Sequence, residues 1–153
     1  MRILVDADSM NVRIREIIAK AATRVGIDAH FVSNSPVPLP RGNVSAAIVP
    51  DADDELVRVA TADDIAVTRD VPLAARLVDI GAVVLNDRGD RWTAENVRER
   101  LSYRDFAKEL RDSGIMSERS RSFGPREIQG FANALDRELA RRADSVGDYD
   151  QIG

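Results

Sequence analysis

Four aspartates stand next to predicted strand ends or helix starts. Asp6 and Asp8 follow the apolar run I-L-V, Asp53 lies in D-A-D-D-E, and Asp70 follows I-A-V-T-R. Because ligands bind beyond the carboxyl ends of parallel strands, these acids are expected at one edge of a sheet. Carboxylate oxygens without His or Cys select a hard cation such as Mg²⁺ or Mn²⁺. The pattern predicts metal-assisted hydrolysis of a phosphodiester, with the ion activating a water.

Other acids in the chain are weighed against ordinary structural roles. Asp87 follows the fifth predicted strand and is a further candidate metal ligand, although D-R-G-D also suits a turn. Acids at the start of a helix, including Asp51, cap it and suit its dipole without any catalytic role. Asp63 and Asp64 precede the fourth predicted strand, so we expect them at the opposite edge of the sheet as plain loop acids.

Polar and basic residues beside these acids are candidate substrate contacts. Arg69 precedes Asp70 and Arg88 follows Asp87, so either arginine can hold a phosphate or pair with its neighbouring acid. Asn11 and Ser33 complete the predicted substrate-binding set, although Asn11 is also a suitable helix cap. Six arginines are candidates for a phosphate-binding face, or for solvated helix faces: Arg98, Arg100, Arg104, Arg119, Arg121 and Arg126.

Length and composition narrow the functional classes. The 153 residues are 44% hydrophobic and 31% charged, which is typical of one soluble globular domain. The chain has no cysteine and one histidine, so disulfides and thiolate metal sites are excluded. No apolar run is long enough to span a bilayer, and the first residues do not resemble a signal peptide. We therefore expect a cytoplasmic protein without membrane contact.

The order of predicted elements indicates an α/β fold. Predicted strands occupy residues 2–6, 28–34, 45–49, 65–68 and 82–86, with helices at 12–25, 51–60 and 72–80 between them. This alternation predicts a central, mostly parallel sheet in residues 1–90. Three helices at 93–101, 103–113 and 125–142 follow. We predict a single domain over residues 1–142, in which residues 91–142 form a helical extension, and a flexible acidic tail at 143–153.

Several motifs together resemble the YaiI/YqxD family, a group of uncharacterised bacterial proteins placed with PIN-like domains. The motifs are V-D-A-D, A-V-T-R-D-V-P-L-A-A, G-A-V-V-L-N-D-R-G, R-E-R-L-S-Y-R-D-F and G-F-A-N-A-L-D, and the resemblance covers about residues 2–142. It implies a three-layer PIN-like fold and ribonuclease activity that depends on Mg²⁺ or Mn²⁺. By position, it makes Asp6, Asp53 and Asp70 the catalytic metal ligands, with Asp8 and Asp87 as helpers.

The chain departs from the family pattern in three places. The family's Cys-Pro is replaced by the segment S-M-N, which excludes any thiol role. The approach to the helix acid is shortened to V-P-D, which leaves Asp51 or Asp53 as the match, and Asp53 is preferred. A Gly-Gly-Pro turn is replaced by the arginine-bearing loop E-R-S-R-S-F-G-P. Any basic surface there is specific to this member.

Two other functions remain open on the sequence. The first is a non-catalytic binding module that keeps the acidic rim for its fold or for an interface, since fold does not give function. The second is a phosphatase of the haloacid-dehalogenase type, with Asp6 as nucleophile and Asp8 as general acid. That chemistry needs a lysine, and a late acidic pair that follows a strand. Lys108 is badly placed for the first role, and Asp63 and Asp64 precede their strand instead of following it. RNA is the predicted partner of the nuclease, and a homodimer could complete the rim.

Overall fold

The computed structural model describes residues 1–112 and 123–152, and the side chains of residues 1–103 and 123–143. The strands in these residues are β1 Ile3–Asp6, β2 Ala29–Ser33, β3 Val44–Ile48, β4 Ile65–Val67, β5 Val83–Leu85 and β6 Arg91–Trp92. The α-helices are α1 Val12–Val25, α2 Ala52–Val59, α3 Val71–Ile80, α4 Ala94–Asp112 and α5 Pro125–Ile152. A short 3-10 turn, Ala7–Ser9, connects β1 to the segment before α1.

The strands form one sheet in the order β3-β2-β1-β4-β5-β6. The pairs from β3 to β5 are parallel, and only β6 runs antiparallel to its neighbour among the described strands. The predicted α/β fold with a mostly parallel sheet is therefore confirmed. The short strand β6 was not predicted, because two residues are too few for an alternating pattern.

Helices cover both faces of the sheet and give three layers. Alternate residues of β1 face opposite sides: Ile3 and Val5 pack with α1 and α5, and Leu4 packs with α2, α3 and α4. All three side chains are fully buried. A strand buried on both faces reads as a continuous apolar run, which explains the sequence I-L-V before the first acids.

The C-terminal helices differ from their predicted boundaries. The predicted break between residues 101 and 103 is wrong: α4 is continuous, and the S-Y pair at this position contains no helix breaker. Helix α5 continues to Ile152, well beyond the predicted end at residue 142. Residues 113–122, which hold most of the predicted polar loop, lie outside the described residues. The flexibility of residues 143–153 stays a prediction.

The lower edge of the sheet, where the parallel strands begin, is closed around Asp64. This side chain is buried, and it accepts hydrogen bonds from the Arg2 backbone N–H (3.0 Å) and the Thr61 N–H (2.9 Å). The Arg2 guanidinium forms an ion pair with it at 3.4 Å. Asp63 and Asp64 lie at the predicted edge, but the prediction that Asp64 is a plain loop acid is wrong.

We expect Gly89→Ala to destabilise the fold more than Gly26→Ala. Gly89 has φ +89°, and a Cβ there would lie 2.6 Å from the carbonyl oxygen of Gly130 in α5. Gly26 has φ +76° but open space around it. We therefore expect losses in the free energy of unfolding of at least about 2 kcal/mol for Gly89→Ala and about 1 kcal/mol for Gly26→Ala. Urea denaturation measures both, and equal losses would contradict the close approach.

Candidate functional site

An acidic pocket opens at the upper edge of the sheet, between the carboxyl ends of β1 and β4. Its volume is about 270 Å³, and it is lined by Asp6, Asp8, Ser9, Asn34, Ala52, Asp53 and Asp70. In the strand order, successive strands run outward to one side from β1 and to the other side from β4, so the pair is a topological switch point. Open parallel sheets bind ligands in the crevice at such a point.

Each carboxylate of the acidic pocket comes from a different local structure. Asp6 ends β1, Asp8 lies in the Ala7–Ser9 turn, Asp53 is in the first turn of α2, and Asp70 is the N-cap of α3. One oxygen of Asp70 accepts a hydrogen bond from the Leu73 N–H at 2.9 Å. In the described part of the chain, its other oxygen has no donor. One strand end, one turn and two helix starts thus bring the four acids together.

Thr68 fixes the orientation of Asp6. Its hydroxyl donates to Asp6 Oδ2 at 2.7 Å and accepts from the Asp70 N–H at 3.0 Å. Because the hydroxyl has one proton, the bond from Asp70 directs that proton towards Asp6. The backbone of Thr68 is held in turn, since its carbonyl accepts from the Trp92 indole N–H at 3.4 Å. A fully buried threonine therefore links the Asp6 carboxylate to the backbone of Asp70.

The carboxylates of the acidic pocket affect one another electrostatically. Burial raises the pKa of Asp6, repulsion from Asp70 and Asp8 raises it further, and the hydrogen bonds from Thr68 and Ser9 oppose the increase. Burial also raises the pKa of Asp53, and repulsion from Asp70 and Asp6 adds to this effect. None of the described residues that line the pocket is basic, so its negative charge is offset only in part, by the charge of Arg76 acting on Asp53.

The acidic pocket offers the oxygen ligands that a hard cation prefers, but it does not hold a preformed set of metal ligands. In the residues with described side chains, no three His, Cys, Asp or Glu side chains are grouped so that they could hold a metal ion. Mg²⁺ keeps several waters and commonly takes only one or two protein carboxylates. The oxygen-only lining fits such an ion by charge and ligand type, and the predicted set of five direct carboxylate ligands is not assembled.

Asp87, Arg69 and Arg88 are not brought to the acidic pocket. Arg69 forms an ion pair with Asp87 at 3.4 Å, so this predicted metal ligand has a counter-charge of its own. Burial raises the pKa of Asp87, while the charges of Arg69 and Arg88 lower it. Arg88 pairs with Glu127 at 3.6 Å and lies over the ring of Phe123. Both arginines form ion pairs with acids, but each ion pair is with an acid other than its sequence neighbour.

Asn11 and Ser33 have structural partners instead of facing the acidic pocket. The Asn11 side chain caps α1 by accepting from the Ile14 N–H at 2.9 Å. The buried hydroxyl of Ser33 donates to the Ser35 carbonyl at 2.6 Å. The side chains of three arginines of the predicted phosphate-binding face lie outside the described residues: Arg104, Arg119 and Arg121.

The sequence reasoning missed three polar residues around the acidic pocket. Asn34 and Ser9 line it, and Thr68 lies behind Asp6. The Asn34 N–H donates to Asp8 Oδ2 at 2.7 Å, and its side chain accepts from the Ala52 N–H at 2.9 Å. The available signals were the S-N pair after β2 and the T-R-D segment after β4. The structure places Asp53 on the lining, whereas Asp51 caps α2.

We expect Thr68→Val to destabilise the protein by about 1–3 kcal/mol, because it removes a buried hydroxyl that serves two partners. Valine keeps the shape of the side chain but leaves the Asp70 N–H and the Asp6 carboxylate without their hydrogen bond. The measurement is urea denaturation at neutral pH. Thr68→Ser keeps the hydroxyl and is the matched control, so equal stability of the two variants would contradict the assigned role.

We expect Asp53→Asn to stabilise the protein at neutral pH by about 0.5 kcal/mol after allowance for solvent screening. The pKa of Asp53 is raised above its ordinary value of 3.8, so the charged form is less favourable in the folded chain than in the unfolded chain. The gain is therefore present above the raised pKa, shrinks as pH falls through it, and vanishes below the ordinary value. Thermal melting across acidic and neutral pH measures the difference, and a gain independent of pH would contradict this origin.

Comparison with known proteins identifies the family. The family model described as "Uncharacterized BCR, YaiI/YqxD family" matches residues 4–141. A UPF0178 protein of Halorhodospira halophila is 46% identical over 147 residues, covering 93% of this chain and 97% of the relative. One from Myxococcus xanthus is 44% identical over 146 residues, covering 92% and 95%. No solved structure matches the chain, so the PIN-like name rests on sequence resemblance alone. The chain belongs to the YaiI/YqxD family, as the motifs indicated.

Proposed function

We propose that this protein hydrolyses phosphodiester bonds in RNA at the acidic pocket, with Mg²⁺ or Mn²⁺ as cofactor. The observation that carries the proposal is the convergence of Asp6, Asp8, Asp53 and Asp70 at the switch point of the sheet, in a pocket where none of the described lining residues is basic. Such a pocket attracts a cation, because a group of carboxylates with little compensating positive charge is costly to keep ionised. RNA as the substrate follows from the resemblance to PIN-like domains.

In this proposal the side chains divide the work of binding and proton transfer. A bound divalent ion would lower the pKa of a water and offset the charge of the phosphodiester. Asp6 is held in one orientation by Thr68, and Asp70 by the start of α3, so both present fixed oxygens. Asp53 has no hydrogen-bond donor in the described part of the chain and a raised pKa, which suits it to accept a proton from the attacking water.

A non-catalytic binding module is the second candidate. It is favoured by the lack, among the described side chains, of three grouped metal ligands. The phosphatase alternative has less support, because Asp64 is buried against Arg2 at the opposite edge of the sheet. The side chain of Lys108 lies outside the described residues.

None of the helices searched in the described residues is long and apolar enough to cross a membrane. The cytoplasmic location and the homodimer stay predictions.

The direct test compares the native chain with Asp70→Asn. Asparagine is also a good helix N-cap, so this variant removes the charge while keeping the start of α3. We expect Mn²⁺ to raise the melting temperature of the native chain and to have a much smaller effect on the variant. We expect cleavage of single-stranded RNA to fall by at least about a hundredfold.

Asp51→Asn is the matched control, since it neutralises an exposed acid that caps α2 outside the pocket lining. It should bind Mn²⁺ and cleave RNA like the native chain. Metal binding without cleavage would favour the binding module. An absence of both in the native chain would remove the cation from the proposal.

A further inference from the structure

Arg15 is a buried cation with no counter-charge among the described side chains. It lies in α1 with 8% of its surface exposed, as buried as many core residues. Its Nε is the one buried side-chain nitrogen or oxygen left without a partner among the residues whose side chains are described. Within that same part of the chain no carboxylate pairs with the guanidinium. The terminal nitrogens have no hydrogen-bond or ion-pair partner among the described residues, and they are not among the buried atoms without partners, so they keep contact with solvent.

The buried guanidinium of Arg15 destabilises the fold, so stability does not explain its presence. A buried arginine destabilises the folded chain unless it is paired and hydrogen-bonded. Other arginines of the chain are paired. At the C-terminal end of α1, for example, Arg24 forms an ion pair of 2.7 Å with Asp136 of α5. An unpaired guanidinium that keeps access to solvent is suited to a ligand that supplies the missing negative charge.

The position of Arg15 indicates where that ligand would lie. Arg15 is in the first turn of α1, and long helical side chains reach back towards the helix N-terminus. That end of α1 follows the Ala7–Ser9 turn, whose Ser9 lines the acidic pocket. By this rule we infer that the Arg15 side chain extends towards the same edge of the sheet.

The first turn of α1 has the charge of an anion site. It contains no acidic residue, and Arg13 and Arg15 both lie in it, although the helix dipole disfavours cations at this end. Arg13 lies 4.0 Å from the carboxylate of Glu16, and a surface ion pair of this kind is weak enough for a phosphate to replace it. Asn11 satisfies the N–H groups of Ile14 and Arg15. The N–H groups of Val12 and Arg13 come before the first intrahelical bond and are available to an oxyanion.

We propose that Arg15, with Arg13 and the free N–H groups of Val12 and Arg13, forms a phosphate-binding site at the N-terminus of α1. The identity of the ligand rests on the proposed function: the site holds one backbone phosphate of the RNA strand while a neighbouring phosphodiester of the same strand lies at the acidic pocket. The bidentate guanidinium of Arg15 positions the strand and takes no part in the proton transfers.

The test measures RNA binding without cleavage. The probe is fluorescein-labelled single-stranded oligouridine, and fluorescence anisotropy is recorded in EDTA over a range of KCl concentrations. For Arg15→Met we expect affinity to fall about tenfold, since a charge-assisted contact is lost. The slope of log affinity against log salt should become shallower by about 0.7. The melting temperature should stay the same or rise, because methionine fills the space without a buried charge.

Arg24→Gln is the matched control: it removes an exposed arginine from the opposite end of α1, and its affinity should change by less than about twofold. A lower melting temperature of Arg15→Met with an affinity equal to this control would overturn the proposal, as would an absence of RNA binding by the native chain. If Arg15→Met does not fold, Arg15→Lys decides: weaker binding at native stability supports the site, and native affinity overturns it.

The two proposals fail separately. RNA binding that depends on Arg15, without metal-dependent cleavage, would keep the phosphate site and remove the nuclease. Cleavage that Asp70→Asn abolishes but Arg15→Met leaves unchanged would do the reverse.

Discussion

Parallel pairing of β1 with both β2 and β4 is the constraint on which the site depends. The register pairs Ile3 with Ala29 on one side and with Ile65 on the other, so the three strands end at nearly the same height. Whatever follows them must emerge at one edge. The connections from this edge leave to opposite sides, and the crevice between them is the acidic pocket. The order of the strands therefore determines where the pocket lies, and individual side chains only line it.

The two edges of the sheet treat their buried acids differently. Asp64 at the lower edge has an arginine and several N–H and O–H donors. Asp6 at the upper edge has hydroxyl partners, and its charged neighbours are other carboxylates. The same chain thus neutralises one buried acid and leaves the other under repulsion. Proteins retain such unfavourable charge where a ligand or a reaction uses it.

The sequence was sufficient to predict the strands and helices of the core and to select the four acids of the pocket. Short apolar runs bounded by acids and glycines mark the central strands, and strand ends in a parallel sheet locate Asp6 and Asp70. It was not sufficient for contacts that depend on side-chain direction. Whether Arg69 approaches the acidic pocket or turns to Asp87, and whether Arg15 is buried, depends on packing between distant segments. No local pattern contains that information.

The hydrogen bond from Trp92 to the Thr68 carbonyl has a spectroscopic consequence. Trp92 is the single tryptophan of the chain, so all indole emission comes from a residue one contact away from the threonine that orients Asp6. The indole is almost wholly buried, and its fluorescence is governed by this local environment. The fluorescence of Trp92 therefore reports on the structure next to the acidic pocket, and no label has to be introduced there.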